Sequence, residues 1–121
     1  MFVIQIPEAT CGTNELVRDF RHAHARARER DRWHYLVMEA FNRVTHKVPI
    51  TCCEITVTRV SGNPMDWDNM GGGLKFLMDA LVSNQIILDD RPNIVRQLHL
   101  EQRITRTNPP KTIIKIVPLK D

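Results

Sequence analysis

The chain has 121 residues, 42% of them hydrophobic and 26% charged, which fits one folded domain around one core and excludes a disordered or collagen-like chain. Its longest apolar runs, such as Phe2-Val3-Ile4 and Leu36-Val37-Met38, fall far short of the roughly 20 residues of a membrane span, so no membrane segment is expected. The net charge of +3 is unevenly spread. From Arg18 to Lys47 eight Lys or Arg and four His face four acids; from Asp66 to Asp90 five acids face only Lys75; from Arg91 to Lys111 five bases face only Glu101. An acidic island inside a basic frame suits a cation held where a polyanion lies; the alternative is a set of unrelated solvated faces.

In chain order, Phe2 to Ile6 reads as a short strand ended by Pro7. The opening MFVIQIPEAT has no basic leader followed by an apolar stretch, so a cytoplasmic protein is expected. Trp33, Leu36, Val37, Ala40, Phe41 and Val44 recur at helical spacing and predict a core-facing helix that ends before Pro49. Just before that stripe, His22, His24, Arg26, Arg28, Arg30, Arg32 and His34 take every even position. Extended, this stretch turns its cations to one side as a basic arm; helical, it scatters them around the cylinder, and both readings stand. His22-x-His24 lacks a third ligand and makes a weak metal pair.

Ile50 to Val60 reads as a β-branched strand stopped by Ser61-Gly62-Asn63-Pro64, and Met70 to Asn84 as a second helix with Leu74, Leu77, Met78 and Leu81 on its apolar face. Ile94 to Thr105 and Thr112 to Val117 read as strands joined through Asn108-Pro109-Pro110 as a hairpin. The expected fold is α/β (α+β): a small mixed sheet with helices packed on a face, in the order β-α-β-α-β-β. Cys11, Cys52 and Cys53 are odd in number and lack CxxC spacing, so reduced thiols are expected, the adjacent pair at the start of a strand.

The sharpest local signal is Asp66-Trp67-Asp68-Asn69, followed after the second helix by Asp89-Asp90. In an extended segment Asp66 and Asp68 would point the same way, about 6 to 7 Å apart, within reach of one hard cation. A helix of about 14 residues is roughly 21 Å long, and six extended residues span about 20 Å, so Asp90 can just return to Asp68. The competing reading has Asp68 or Asn69 capping the helix and Asp89-Asp90 forming a turn.

The run DWDN, then LKFLMDAL, then IILDD resembles the core signature of RusA-type Holliday junction resolvases over about 25 residues, Asp66 to Asp90. Upstream, Asn14-Glu15-Leu16 with His24, the arginines and Trp33 resembles the N-terminal part of phage-encoded relatives more loosely. The resemblance implies that residues 1–121 form a single RusA-like domain. It further implies a homodimeric endonuclease that cuts four-way DNA junctions with Mg²⁺, Mn²⁺ being a possible substitute, and that needs no membrane or small-molecule cofactor. By position it assigns Asp66, Asp68 and Asp90 as essential carboxylates and metal ligands, Asp89 as a further ligand or a partner of one, and Lys75 as the essential lysine. Asn69 would be a cap. Metal-held acids would stabilise charge on the scissile phosphate and lower the pKa of a bound water. Lys75 would donate to a phosphate oxygen or orient the water. Arg91, Arg96, Arg103 and Arg106 would contact phosphates, with Arg26, Arg28 and Arg30 as a second surface. Trp67 would pack in a core or dimer, or stack on an unpaired base.

One departure is Gly71-Gly72-Gly73, which lengthens the link between Asp68 and Lys75 by three residues relative to the family's founding member. These glycines would bring backbone close to a phosphate at the helix N-terminus or act as a flexible lead-in. Two other functions stand beside the resolvase: a catalytically silent protein that binds branched DNA, and a nuclease acting on flaps or other replication intermediates.

Overall fold

The computed structural model describes residues 1–41 and 49–120. The elements run β1 (Phe2–Ile6), α1 (Thr13–Asp19), α2 (Ala23–Phe41), β2 (Cys53–Ser61), α3 (Trp67–Gly72), α4 (Lys75–Ser83), β3 (Val95–Ile104) and β4 (Lys111–Pro118). The four strands form one mixed sheet in the order β1-β4-β2-β3, β2 and β3 being parallel and the other pairs antiparallel. Phe2, Ile4 and Ile6 of β1, Ile55 and Val57 of β2, and Ile114 and Ile116 of β4 share one face by register and join Trp33, Val37, Phe76, Leu77 and Leu81 in a single core. The helices therefore cover one face, and Val3, Gln5 and Lys115 are exposed on the other. Among the described residues, no helix is long and apolar enough to cross a membrane.

The mixed α+β architecture expected from the pattern is present, but the order is β-α-α-β-α-α-β-β: α1 was not expected, β2 starts at Cys53 rather than Ile50, and two further differences follow. β3 and β4 are not a hairpin: β2 lies between them, and residues 105–110 carry the chain past the end of β2. A strand buried on both sides is the better home for the apolar CEITVTRVS run, and the half-polar VRQLHLEQRI takes the edge. The helix expected over Met70 to Asn84 is two, broken at Gly73 and Leu74, and the first begins already at Trp67. The far end matches: Gln85 adopts φ 58°, and Ile86 N–H donates to the Leu81 carbonyl at 3.0 Å while Gln85 N–H donates to that of Val82 at 2.9 Å, a Schellman closure.

Residues Arg21 to Arg32 settle as helix from Ala23 onward, so the even-numbered cations scatter around α2 rather than forming an extended arm. The alanines and arginines are good helix formers, and Trp33 and Val37 anchor the helix in the core. Asn84 Nδ2 donates to the His34 carbonyl at 3.0 Å, and His34 Nδ1 lies 2.6 Å from Ser83 Oγ, fastening α2 to α4. Val44 of the predicted stripe lies outside the described residues. All three cysteines are free, Cys53 opening β2.

Candidate metal and DNA site

Two limbs of chain meet at the carboxyl end of β2: Thr10 to Asn14, leading into α1, and Asn63 to Asn69, leading into α3. Arg59, 8% exposed, holds both, its Nε donating to the Thr10 carbonyl and its Nη1 to the Asn63 carbonyl, each at 2.8 Å. Burial lowers its pKa, and the two carbonyls replace the water that its guanidinium loses. Gln102 of β3 grips Met65 from both sides, accepting from its N–H at 2.9 Å and donating to its carbonyl at 2.8 Å. Asn69 does not cap its own helix. Its Oδ1 accepts from the Asn14 N–H at 3.1 Å and so caps α1, and its carbonyl accepts from Thr13 Oγ1 at 3.3 Å. Such a cap contributes about 1 kcal/mol.

The glycine triplet belongs to the same corner. A Cβ on Gly73 would fall 1.8 Å from the Cys11 carbonyl oxygen, and one on Gly72 would fall 1.9 Å from Thr13 Oγ1. Only a residue without a side chain lets α3 approach the α1 limb this closely. Gly72 and Gly73 are therefore packing contacts rather than a flexible lead-in.

Asp66 is the N-cap residue of α3, at φ −61° and ψ 148°, but its side chain makes no capping bond, and Asp68 sits in the first turn. Helix start, rather than extended chain, brings the two together: they line one open cleft of about 350 Å³ with Thr13, Asn14 and Asn69. Both are exposed, and neither carboxylate has a hydrogen-bond or ion-pair partner among the described residues.

The remaining predicted residues lie elsewhere. Lys75 opens α4, 3.8 Å from Asp79, and lines a different cleft, because the break at Gly73 and Leu74 turns the chain between Asp68 and the lysine. Asp89 is committed to a turn: one carboxylate oxygen accepts from the Asp90 N–H at 2.7 Å, the other pairs with Arg91 Nε at 3.1 Å. Asp90 is exposed. It does not return to Asp68 within the chain. β3 runs parallel to β2, so the crossover through α3 and α4 leaves the carboxyl end of β2 and must enter β3 at its amino end. Gln102, which holds Met65, is separated from Val95, beside the Asp90 turn, by seven residues of strand, about 23 Å. Among the described residues no group of three or more His, Cys, Asp and Glu is placed to hold a metal, His22 and His24 included.

Arg91 and Arg96 lie at the amino end of β3, with Arg96 Nε donating to the Asn93 carbonyl at 3.2 Å; Arg103 and Arg106 lie at its carboxyl end, and Arg26, Arg28 and Arg30 on α2. All seven are exposed, and Trp67 is 56% exposed. The bracing residues Arg59, Gln102 and Thr13 escaped sequence reading, because a buried arginine and a strand glutamine show no spacing signal; the glycine run was singled out, but not as a close contact. No protein-family model matches this chain, and no curated protein matches it.

Proposed function

We propose that the protein is a Mg²⁺-dependent, structure-selective DNA endonuclease of the RusA type, acting in the cytoplasm on four-way junctions in recombination and repair. The observation that carries this reading is the pair Asp66 and Asp68, held open and unpartnered on a corner that four separate devices brace. Unpaired carboxylates gathered in one cleft add nothing to folding stability, whereas Mg²⁺ is commonly held by one or two carboxylates together with substrate phosphate oxygens. Bound there, Mg²⁺ would supply charge stabilisation at the scissile phosphate and a more acidic water. Asp66 and Asp68 hold the ion, Asp89 orients the turn that carries Asp90, and the exposed arginines position the phosphates.

The third carboxylate comes from a second chain in this reading. Among the described residues β3 pairs only with β2, leaving the outer edge of a ten-residue strand open. Two copies joined antiparallel along that edge lay the Asp90 end of one beside the Asp66 and Asp68 end of the other, twice, by the two-fold axis. They also set Arg91 and Arg96 of one chain in line with Arg103 and Arg106 of its partner, a basic track along both sites. Two sites related by a two-fold suit a junction that is nicked symmetrically.

The test is a labelled immobile four-way junction incubated with protein in Mg²⁺ or EDTA, beside a plain duplex and the Asp68→Asn variant. Paired nicks that need Mg²⁺ and disappear in the variant are expected. A junction that is bound but stays whole in both Mg²⁺ and Mn²⁺ replaces the nuclease with the silent branched-DNA-binding protein.

A further inference from the structure

A second cleft, of about 370 Å³, opens where α1, the start of α2 and the first turn of α4 meet. Its floor is apolar: Phe76 is buried, Phe20 is half-buried with its ring edge-on to Phe76 at 5.7 Å, and Val17 is 66% exposed. Its rim is cationic, carrying Arg21, Arg26 and Lys75. Lys75 is exposed and its partner, the half-buried Asp79, is 3.8 Å away, a contact too long to withhold the ammonium from a phosphate. A bare anion would have no use for the aromatic floor, and an apolar peptide none for three cations. A nucleotide turned out of its stack uses both, because every base offers a flat face to an aromatic floor and its flanking phosphates meet the rim. The volume lies in the range of sites that enclose a small molecule.

We infer that this cleft receives one unstacked nucleotide from the crossover of the branched DNA, an inference that rests on the branched-DNA reading above. Lys75 and Arg26 then anchor the phosphates on either side of the turned-out base, and the cleft selects branched over linear DNA because bases at a crossover leave the stack at lower cost.

The experiment compares two immobile four-way junctions by fluorescence anisotropy in EDTA at fixed salt, one intact and one with abasic residues at the crossover. The wild-type chain should bind the intact junction about tenfold more tightly than the abasic one, the scale of one base stacked on an aromatic side chain. Val17→Glu, at a solvent-facing position that leaves the core untouched, should lower intact-junction affinity about tenfold and abolish the discrimination. Equal affinity of the wild type for the two junctions, or equal weakening of both by the variant, overturns the cleft assignment while Mg²⁺-dependent nicking leaves the nuclease reading standing. A wild-type chain that neither binds nor nicks the intact junction overturns both.

Discussion

At the carboxyl end of β3, Asp66 and Asp68 stand on a corner tied by Arg59, Gln102 and Asn69 and closed by two glycine contacts; at the amino end, Asp89 and Asp90 stand on a short turn tied to itself and to Arg91. Both ends are acidic and both are tied to distant chain, the second through Ile50, whose N–H donates to the Ile86 carbonyl and whose carbonyl accepts from the Leu88 N–H, each at 3.0 Å. Only at the first are the carboxylates left open, because Asp89 at the second is spent on its own turn and on Arg91. The difference teaches that closeness in sequence to a helix does not place two acids at one site. A parallel crossover carries the chain the full length of the strand, so acids flanking it are delivered to opposite ends.

The sharpest way to break that comparison is to mix two inactive dimers. Asp68→Asn and Asp90→Asn should each abolish Mg²⁺-dependent nicking of a supercoiled cruciform plasmid. Co-expressed, they should regain it at about a quarter of the sites, because half of the dimers are mixed and each mixed dimer carries one intact site. A mixture as inactive as its parents means that each site is complete within one chain.

Next in size is a contrast within the glycine run. Gly73→Ala should cost about 2 to 4 kcal/mol in urea unfolding, since its Cβ meets Cys11 backbone that cannot swing away. Gly71→Ala, whose Cβ would lie 3.6 Å from Leu100 Cδ1, should instead gain about 0.5 to 1 kcal/mol from helix propensity. Equal costs at the two positions would mean that the corner yields and braces nothing.

The smallest effect compares the thiol at each end. Cys11 at the braced corner and Cys53 at the start of β2 both have pKa values pushed up to about 11, Cys11 by burial and then by the Glu15 charge, Cys53 by burial and then by Cys52. The folded thiols hold their protons more tightly than unfolded ones, so this stability is complete below pH 9 and is lost as pH rises from 9 through 11. The Tm should fall across that window, and Cys11→Ala should shallow the fall; an unchanged slope would remove Cys11 from the account. Iodoacetamide at pH 8 should label native Cys11 and Cys53 far more slowly than the unfolded chain.

Much of the fold was readable from local chemistry. A short apolar run ended by Pro7 marked β1, and the Trp33 to Phe41 stripe marked α2, because burial of one helix face leaves a period in the sequence. The apparent hairpin at Asn108-Pro109-Pro110 was misleading for the same reason: turn residues report that the chain bends, not which strand it joins next. The candidate site was legible only in part. Asp66-Trp67-Asp68-Asn69 stood out by spacing, but the cap that Asn69 supplies to α1 depended on a limb more than fifty residues away, which carried no local signal of that contact.

What the sequence by itself determined is the mixed α+β class, the core faces, the free thiols and the clustering of acids between basic flanks, all of which follow from residue type and period over short windows. Only the tertiary structure decided that Asp66 and Asp68 share a braced cleft, that the glycines are contacts, that Lys75 faces a separate apolar cleft and that Asp90 lies at the other end of β3. Those are consequences of strand order and close backbone approach, which depend on pairings between distant segments and leave no periodic trace in any one of them.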